Sequence, residues 1–471
     1  MSDGPTTSAE DGYDVVILGA GSGGYACALR SAELGQRVAL IEQDKVGGTC
    51  LHRGCIPTKA LLHAAEIADQ ARAGAVFGVP ATVGDIDVAA LRAYQDAVVS
   101  QLWKGLTGLV ASRRIDVFKG AGRLASPTEV RVGDRLIGGR HVVLATGARP
   151  RTLPGLPIDG ERVITSEHAL TLDRVPASAV VLGGGVIGVE FASAWRSLGA
   201  EVTIVEALPH LLPGEEESSS RWLERAFRKR GIRFELGATI EDVKDDGDGV
   251  TVTLAGGTTV AGELLLVAVG REPVSAGLGF EEAEVAVDRG LVTIDEHCQT
   301  SAATISAVGD LTPGPQLAHV GFAQGILAAE KIAGRPVRAI DYDGVPRITY
   351  SDPEVASVGL TSATAAARGI ETVQVRYPLG GNGRSVILHA QGEARVIAAA
   401  PADGDDQPGP VLGIHLVGAR VGELIAEAQL ICNWKAAPAE VAQLIHPHPS
   451  QSEIIGETSL ALAGKPLHFH G

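Results

Sequence analysis

The sequence predicts an α/β protein that contains two copies of one strand–turn–helix–strand unit and a further region of strands and helices. Three observations lead to this prediction. Each copy opens on a short, continuous apolar run, the run passes into a glycine-rich turn, and a second apolar run ends on an acidic residue. Continuous apolar runs of this length are typical of strands buried in a parallel sheet, and a helix usually connects such strands.

The first copy begins with a predicted buried strand at residues 14–18, which is apolar from Val15 onward. Gly19, Gly21 and Gly24 follow in a G-x-G-x-x-G pattern. Glycines in such a turn let the backbone approach a pyrophosphate, and the N-terminus of the next helix supplies N–H groups and a positive dipole. Glu42 ends the next strand, 23 residues after Gly19. An acid in this position can accept hydrogen bonds from ribose hydroxyls, although a solvated strand end is the alternative.

The second copy repeats this plan after the run at residues 179–182. Gly183, Gly185 and Gly188 have the same pattern, and Glu206 again follows the first glycine by 23 residues. One isolated glycine pattern is weak support, because glycines often serve only a tight turn. Two patterns with strand, helix and acid in the same register predict two dinucleotide-binding domains.

Both copies also end alike. A strand closes on glycine at residues 141–149 and again at residues 264–271. We expect further nucleotide contacts at these strand ends, at Thr146, Gly147, Gly270 and Arg271.

The composition limits the classes of function. The chain has 471 residues and a hydrophobic content of 45%, so we expect several soluble domains. Its formal net charge of −16 disfavours binding to nucleic acid or to an anionic membrane. No uncharged apolar run approaches the roughly 20 residues that span a bilayer, and residues 1–14 do not resemble a secretory signal. We expect a cytoplasmic protein without nucleic-acid or membrane partners.

Cys50 and Cys55 form a close pair in a chain with five cysteines, too few for a secreted disulfide framework. Their spacing suits neither a C-x-x-C zinc site nor a thioredoxin-type motif. In a regular helix residues i and i+5 lie roughly 8 to 9 Å apart, beyond the limit of about 7 Å for a disulfide. A bond would need a distorted turn, for which Gly54 gives the backbone freedom, and Pro57 is a helix-starting residue just past the pair. Two unpaired cysteines in a flexible loop are the alternative.

The segment from Gly47 to Lys59, GGTCLHRGCIPTK, resembles the active-site segment of the pyridine nucleotide-disulfide oxidoreductases. The similarity extends from residue 13 to about residue 457. It implies FAD in the first copy, NAD(P) in the second, and a redox-active disulfide between Cys50 and Cys55. In this pattern Cys55 is the flavin-proximal thiol, and Cys50 is the outer thiol that exchanges with substrate. The resemblance also implies cofactor contacts at Gly48 and Thr49.

The same resemblance implies roles for three charged residues. Lys59 would stabilise negative charge on the reduced flavin, although alone it would be an ordinary surface lysine. Glu190 would pair with Lys59 at the flavin–nicotinamide junction, although it could simply be an acid near a helix N-terminus. Asp310 follows another short strand and is similar to the aspartate that binds the ribityl chain, with an ordinary turn aspartate as the alternative.

A possible base lies near the C-terminus. Thiol–disulfide exchange needs one because the attacking species is the thiolate, and an imidazole oriented by a carboxylate can accept the thiol proton near neutral pH. The spacing of His448 and Glu453 is similar to the family's catalytic dyad, with His448 as the base and Glu453 as its partner. A metal pair of His446 and His448 is the alternative, but no further ligands flank it, and we expect no metal.

The resemblance also implies a division into domains. The last region is similar to the family's dimerisation domain, which presents its histidine to the disulfide of the partner subunit, so a homodimer is expected. The expected fold class is α/β, with two Rossmann-like dinucleotide-binding domains for FAD and NAD and an α+β C-terminal dimerisation domain. The expected boundaries are residues 1–155 for the first part of the FAD domain, 156–275 for the NAD domain, 276–344 for the second part of the FAD or central domain, and 345–471 for the dimerisation domain.

Glu206 bears on the choice of nucleotide, because its carboxylate would repel the extra phosphate of NADP. No Lys or Arg occurs in residues 207–212, so NAD is expected. Residues 464–471 lack the further cysteine pair of mercuric reductases.

Within the family, the sequence most resembles members that oxidise protein-bound dihydrolipoamide with NAD. The partner implied is a lipoyl-bearing protein of a 2-oxoacid dehydrogenase or glycine cleavage complex. One alternative is an NAD(P)H-dependent reductase of a low-molecular-weight disulfide, glutathione-like or mycothiol-like. A noncatalytic binding subunit that keeps FAD for stability is the other.

Overall fold

The computed structural model describes residues 12–468. The chain forms two compact units. The first contains residues 12–60, 89–151 and 271–342, and the second contains residues 61–88, 152–270 and 343–468. Of the helices within residues 12–468, none combines the length and the apolarity that a membrane span requires.

The first third of the chain alternates strands with long helices. Its strands are β1 (Tyr13–Leu18), β2 (Val38–Glu42), β3 (Asp116–Lys119), β4 (Gly122–Ser126), β5 (Glu129–Val132), β6 (Arg135–Leu144) and β7 (Ala148–Pro150). Its helices are α1 (Ser22–Glu33), α2 (Gly48–Arg53), α3 (Cys55–Ala73) and α4 (Val88–Ser112).

The middle of the chain repeats the strand–turn–helix plan. Its strands are β8 (Val163–Thr165), β9 (Ser178–Leu182), β10 (Glu201–Glu206), β11 (Arg233–Leu236), β12 (Ile240–Asp245), β13 (Val250–Leu254), β14 (Thr259–Gly262) and β15 (Leu264–Val267). Its helices are α5 (Ser166–Ala169), α6 (Val186–Leu198) and α7 (Glu217–Lys229).

The remaining elements complete the first unit and form an antiparallel region. The strands are β16 (Arg271–Pro273), β17 (Val287–Asp288), β18 (Leu291–Val292), β19 (Ile305–Ala307), β20 (Arg347–Thr349), β21 (Glu354–Gly359), β22 (Thr372–Pro378), β23 (Glu393–Ala399) and β24 (Val411–Gly418). The helices are α8 (Ala318–Ile332), α9 (Ser362–Ala367), α10 (Gly383–Ile387), α11 (Val421–Asn433), α12 (Pro438–Val441) and α13 (Glu453–Leu462).

The main sheet of the first unit has the strand order β3-β2-β1-β6-β5-β4, and β19 also pairs with β6. Strand β1 runs parallel to β2 and β6, and β19 runs parallel to β6. The order therefore reverses between β1 and β6. Open α/β sheets bind ligands beyond the carboxyl ends of the strands at such a reversal, and the first glycine turn directly follows β1.

The second unit contains a sheet of the same kind, with the order β11-β10-β9-β15-β8. Its strands pair in parallel, and the order reverses between β9 and β15. The second glycine turn follows β9 at this reversal. The two predicted α/β copies are therefore confirmed.

A five-stranded antiparallel sheet in the second unit has the order β20-β21-β24-β23-β22. One face packs on α11 and α13, where Val396, Ile414, Ile425 and Ile454 belong to one apolar core. Since side chains alternate along a strand, Arg395 of β23 points to the opposite face. The prediction of a third, α+β region is confirmed.

Candidate active site

The two glycine turns have the same local packing. A Cβ added at Gly24 would lie 1.9 Å from the carbonyl oxygen of Gly19, and a Cβ added at Gly188 would lie 1.9 Å from that of Gly183. Any larger residue would push each helix away from its turn, so these glycines permit close packing of helix and strand.

The middle glycine of each turn faces open space. A Cβ added at Gly21 or Gly185 would meet no atom of residues 12–468 within 4 Å. Both turns also lead into a helix N-terminus, since α1 begins at Ser22 and α6 at Val186. Exposed backbone beside a helix N-terminus is what a pyrophosphate group requires, so both turns fit a dinucleotide.

The acids that end β2 and β10 are held in the same way. Glu42 accepts hydrogen bonds from the backbone N–H groups of Ala20 and Asp44, each at 2.8 Å. Glu206 accepts them from Gly184 at 2.5 Å and from Leu208 at 2.8 Å. Each carboxylate is thus fixed against its glycine turn, and its oxygens keep lone pairs that can receive further hydrogen bonds. The ribose contacts stay a prediction.

The cysteine segment consists of two helices with a break at Gly54, where a distorted turn was expected, and the second helix begins at Cys55 rather than after Pro57. Helix α2 carries Cys50 and ends at Arg53, Gly54 has non-helical dihedrals (φ −143°, ψ −114°), and α3 begins at Cys55. A Cβ at Gly54 would lie 3.0 Å from the carbonyl oxygen of Thr49, so glycine suits this tight turn. The turn brings Cys50 and Cys55 together, which a regular helix would not do.

The start of α2 lies directly against the first glycine turn. Gly48 has φ +59°, and a Cβ there would be 2.6 Å from the Cα of Gly21. The preceding Gly47 also has a positive φ, and its N–H donates to the carbonyl of Ala20 at 2.8 Å. The cysteine segment is therefore packed against the turn that fits a pyrophosphate.

Cys50 and Cys55 are both thiols in this structure. A hydrogen bond to Cys55, then burial, then the charge of Cys55 raise the pKa of Cys50, while Lys59 acts in the opposite direction. The two sulfur atoms therefore share a hydrogen bond, and the negative charge of Cys55 acts directly on Cys50. Lys59 is near enough to act on this charge.

His52 and Trp103 support the cysteine segment, and neither was predicted from the sequence. The His52 Nε2–H donates to the carbonyl of Val46 at 3.0 Å, and its ring meets the ring of Trp103 edge to face at 6.1 Å. Arg53 forms an ion pair with Asp44 at 2.8 Å. These contacts tie α2 to the loop before it and to α4.

Asp310 follows β19 at the carboxyl edge of the first sheet. Burial raises the pKa of its carboxyl group, and Arg271, whose Nε lies 3.5 Å away, opposes this shift. Arg271 also donates to the carbonyl of Ala148. Arg271 was expected beside the nucleotide of the second copy, but the contacts that the structure gives it are with residues of the first unit. Its contact with Asp310 was not predicted.

The turn that carries Asp310 is fixed by a buried side chain of α8. The Gly309 N–H donates to Gln324 Oε1 at 2.6 Å, and Gln324 Nε2 donates to the Tyr342 hydroxyl at 2.8 Å. Gln324 has an exposed fraction of 1%. No sequence pattern had indicated this side chain, because a single glutamine in an apolar helix has no characteristic spacing.

Thr146 and Gly147 follow β6 and form hydrogen bonds with Val274, which follows β16. The Thr146 hydroxyl donates to the carbonyl of Val274 at 2.6 Å, and the Val274 N–H donates to the carbonyl of Gly147 at 2.9 Å. Gly147 and Gly270 both have positive φ values, 69° and 105°. Their predicted cofactor contacts remain predictions.

His448 and Glu453 form the predicted pair. His448 Nδ1 lies 2.9 Å from Glu453 Oε1, and the Ser450 N–H donates to Glu453 Oε2 at 2.8 Å. Burial alone would raise the pKa of Glu453, but these hydrogen bonds hold it below its usual value. The carboxylate thus fixes the tautomer with a proton on Nδ1, so Nε2 can accept a proton. The side chain of His448 is 75% exposed.

His446 does not share a site with His448. Its Nε2 lies 2.8 Å from Glu427 Oε1, so the two histidines bind different carboxylates. Within residues 12–468, His, Cys, Asp and Glu side chains form no group of three or more that could hold a metal ion. The alternative of a metal pair therefore has no geometric support in the described part of the chain.

We expect the pair of His446 and Glu427 to stabilise the fold more at acid than at alkaline pH. The hydrogen bond with Glu427 raises the pKa of His446 in the folded protein. The stabilisation is fully present below the pKa that His446 has in the unfolded chain, and it is lost as the pH rises through the raised pKa of His446 in the folded protein. His446→Gln should lower the unfolding temperature more at about pH 6 than at about pH 9. An equal decrease of the unfolding temperature at the two pH values, measured by calorimetry, would contradict this prediction.

Glu190 lies in α6 and is buried, with an exposed fraction of 3%. Its Oε1 accepts a hydrogen bond from the N–H of Tyr350 at 2.9 Å. Glu190 belongs to the second unit and Lys59 to the first. Their predicted pairing remains a prediction.

Comparison with known proteins gives a consistent result over almost the whole chain. Residues 13–325 match the family model described as pyridine nucleotide-disulphide oxidoreductase, and residues 345–459 match the dimerisation domain of the same family. The dihydrolipoyl dehydrogenase of Bacillus subtilis is 40% identical, over 97% of this chain and 99% of that protein. The mitochondrial dihydrolipoyl dehydrogenase of Pisum sativum is 36% identical, over 98% of this chain and 94% of that protein.

Solved structures are also similar. The crystal structure of LpdA from Mycobacterium tuberculosis has a TM-score of 0.88 and 29% identity, over 95% of this chain and 99% of that one. The HOCl-induced flavoprotein disulfide reductase RclA from Escherichia coli has a TM-score of 0.84 and 29% identity, with the same shares covered.

Proposed function

The chain belongs to the pyridine nucleotide-disulphide oxidoreductase family, and from this premise we propose that it is an NAD-dependent dihydrolipoyl dehydrogenase. Membership makes it a flavoprotein disulfide oxidoreductase that uses FAD and NAD(P) and carries a dimerisation domain. The observation that carries the finer proposal is the cysteine segment, which holds Cys50 and Cys55 together and packs Gly48 against Gly21. Full-length similarity to dihydrolipoyl dehydrogenases supports it.

We assign the two dinucleotides to the two glycine turns. FAD, when bound at the first turn, supplies the group that takes an electron pair from the dithiol and delivers a hydride to the nicotinamide. The proposed FAD residues are Gly19, Gly21, Gly24, Glu42, Gly48, Thr49, Lys59, Thr146, Gly147 and Asp310. The proposed residues for the pyridine nucleotide are Gly183, Gly185, Gly188, Glu206, Gly270 and Arg271.

The thiol chemistry follows from this chain's own residues. With Cys50 and Cys55 oxidised to a disulfide, His448 Nε2 takes the proton of one substrate thiol, and the resulting thiolate attacks the Sγ of Cys50. The disulfide breaks, and Cys55 leaves as a thiolate that Lys59 stabilises. The second substrate thiol then displaces Cys50, which takes up its proton. The substrate dithiol is oxidised to a cyclic disulfide, and the cysteine pair is reduced.

A second copy of the chain should complete the site. His448 is exposed, and next to it in sequence Leu444 and Ile445 are 60% and 98% exposed. Such apolar exposure is typical of a surface that another protein covers. We propose that the partner in a homodimer covers this surface and places its disulfide beside His448, and that the substrate is a lipoyl-bearing protein of a 2-oxoacid dehydrogenase or glycine cleavage complex.

The assay that tests the proposal compares nucleotides and substrates. The flavin-loaded protein should oxidise dihydrolipoamide with NAD, and NADH should reduce lipoamide far faster than NADPH does. Preference for NADPH with no turnover of lipoamide would instead favour the reductase of a low-molecular-weight disulfide. Absence of any dithiol or disulfide turnover with both nucleotides would favour the noncatalytic alternative.

Glu206→Gln should weaken the binding of NAD. The amide has one oxygen, which the N–H group of Gly184 or of Leu208 would still occupy, so fewer lone pairs and no negative charge remain for the ribose hydroxyls. Loss of one charge-assisted hydrogen bond to ribose lowers the affinity for NAD by about tenfold or more. The dissociation constants of NAD and NADP, measured by calorimetry, should also move closer together.

The matched change in the first copy is the control for this prediction. Glu42→Gln alters an acid with the same two backbone contacts. It should reduce flavin retention without changing the dissociation constant for NAD. If Glu206→Gln leaves NAD binding unchanged, the ribose role of Glu206 is wrong.

A further inference from the structure

A row of polar residues crosses the antiparallel sheet of the second unit from edge to edge. Arg347 of β20 is opposite Ser357 of β21, which is opposite His415 of β24. His415 is opposite Arg395 of β23, which is opposite Arg376 of β22. Directly opposed residues share one face of a sheet, so we call these five residues the cross-sheet row. The face is the one opposite to the apolar core on α11 and α13.

The N-terminus of α7 places a buried carboxylate on this row. Glu216, with an exposed fraction of 4%, accepts from Arg395 Nη1 at 2.9 Å. The same carboxylate accepts from the backbone N–H of Ser362 at 2.8 Å and from its hydroxyl at 3.1 Å. The end of α7 is therefore bonded both to β23 and to the first residue of α9.

Glu215 makes a second ionic contact with the row, at a distance of 3.3 Å from Arg347 Nε to its Oε1. Between the two arginines lies His415, whose Nε2–H donates to the carbonyl of Leu360 at 2.9 Å. Burial lowers the pKa of His415, against the effect of Glu215 and Glu216, so the ring is neutral near pH 7. Two of the three arginines in the row are thus paired with two adjacent carboxylates, Arg347 with Glu215 and Arg395 with Glu216.

Helix α7 has a second contact with the sheet at Trp222, six residues after Glu216. Trp222 Nε1 donates to Glu393 Oε2 at 3.1 Å, and Glu393 also accepts from Arg376 at 2.6 Å. Glu393 is buried, so it is fixed between the sheet and the helix. The orientation of α7 is set by both contacts.

The same end of α7 connects directly to the acid proposed to bind ribose. Residues 207–216, which we call the ribose loop, begin after Glu206. The loop is bonded to the glycine turn, because the Leu212 N–H donates to the carbonyl of Gly184 at 2.8 Å. Glu215 N–H in turn donates to the carbonyl of Leu212 at 2.9 Å. Two hydrogen bonds and the ion pair of Glu215 with Arg347 therefore connect the glycine turn through the ribose loop to the cross-sheet row.

We propose that the cross-sheet row positions the ribose loop, so that Arg395 and Glu216 are positioning residues for binding of the pyridine nucleotide although they lie in the antiparallel sheet and at the start of α7. The proposal rests on the assignment of NAD(P) to the second glycine turn. Removing one member of the pair leaves a buried charge without its partner, which costs more than the pair itself contributes. The end of the ribose loop would then shift or loosen.

The test uses the flavin-loaded full chain with Arg395→Met and, separately, Glu216→Gln. The dissociation constant for NAD, measured by calorimetry, should rise roughly two- to thirtyfold, the range of couplings transmitted through packed networks. Amide hydrogen exchange in residues 207–216 should become faster in the same variants. The visible spectrum after one equivalent of dithiol should not change, because Cys50 and Cys55 belong to the first unit. If the row only stabilised the fold in general, the variants would change NAD binding, amide exchange and the dithiol spectrum together.

The matched control is Arg174→Met. Arg174 lies in the same unit and donates to Glu263 at 2.8 Å, and Glu263 accepts from the N–H of Ala177 just before β9, at the opposite end of that strand from the glycine turn. Its substitution should leave NAD binding and exchange in the ribose loop unchanged. If Arg395→Met does not fold, Arg395→Lys keeps a cation and should show a smaller rise in the dissociation constant.

Two results separate failure of this inference from failure of the proposed function. If the wild-type protein binds no NAD, the assignment of the second glycine turn is wrong. If the wild type binds NAD and the folded variants Arg395→Lys and Glu216→Gln bind it as tightly, the cross-sheet row has no positioning role.

Discussion

Replacing Cys55 by Ser should abolish oxidation of dihydrolipoamide, with a loss of at least roughly 10⁴-fold, as when a nucleophile is removed from a covalent mechanism. A serine hydroxyl cannot form the disulfide with Cys50, so there is no bond for the substrate thiolate to break. The measurement is formation of NADH with dihydrolipoamide as substrate. The spectrum after one dithiol equivalent should also lose the thiolate-to-flavin charge-transfer band.

The control is Cys432→Ser on α11. Burial raises the pKa of Cys432 to about 12, so its thiol is inert at neutral pH. This variant should keep full turnover. In Cys55→Ser, oxidation of NADH by an artificial one-electron acceptor should survive, because that reaction bypasses the cysteine pair. Normal turnover of dihydrolipoamide in Cys55→Ser would rule out the disulfide mechanism.

His448→Gln should lower turnover of dihydrolipoamide by about 10²- to 10⁴-fold, the usual contribution of a general base. The amide cannot accept the proton of the substrate thiol. Flavin content and the unfolding temperature should stay near wild type, because the side chain of His448 is 75% exposed. Glu453→Gln should cause a smaller loss, because it removes only the carboxylate that orients the ring. The measurements are kcat and kcat/KM at several pH values.

His446→Gln is the matched control for His448→Gln. It changes the same residue type two positions earlier, but His446 is bound to Glu427. Its effect should be on stability, as argued above from its raised pKa, with kcat within a few-fold of wild type. Equal losses of kcat in the two variants would mean that the loop as a whole, and not the imidazole of His448, is needed.

Much of the fold follows from local patterns. The glycine turns with their acids at equal spacing predicted both α/β copies, because strand, turn and helix there are adjacent in sequence. A distorted turn between Cys50 and Cys55 was predicted for the case in which the two residues bond, since in a regular helix residues i and i+5 lie too far apart for a disulfide. In these cases the physical constraint acts between neighbouring elements, over at most 23 residues of the chain, where a sequence pattern can reveal it.

Contacts between distant segments could not be predicted in this way. The pairing of Arg395 with Glu216 depends on the register of β23 and on the packing of α7, and neither leaves a spacing in the sequence. The contact of Trp103 with His52 joins two helices of different length and composition. The ion pair of Arg271 with Asp310 requires that the chain return from the second copy to β7. Each depends on tertiary packing, which local propensity does not encode.

The close approach of Gly48 to Gly21 has a consequence for mutational tolerance. A single methyl group at residue 48 would overlap the Cα of Gly21, at 2.6 Å, so even alanine would force α2 and Cys50 away from the first turn. A saturation library across residues 47–59 should therefore lose function at Gly48 although both cysteines are retained. Arg53, whose side chain is 46% exposed, should accept many substitutions in the same library. Substitutions in the cysteine segment should therefore be tolerated on its solvent side and not on the side that faces the first glycine turn.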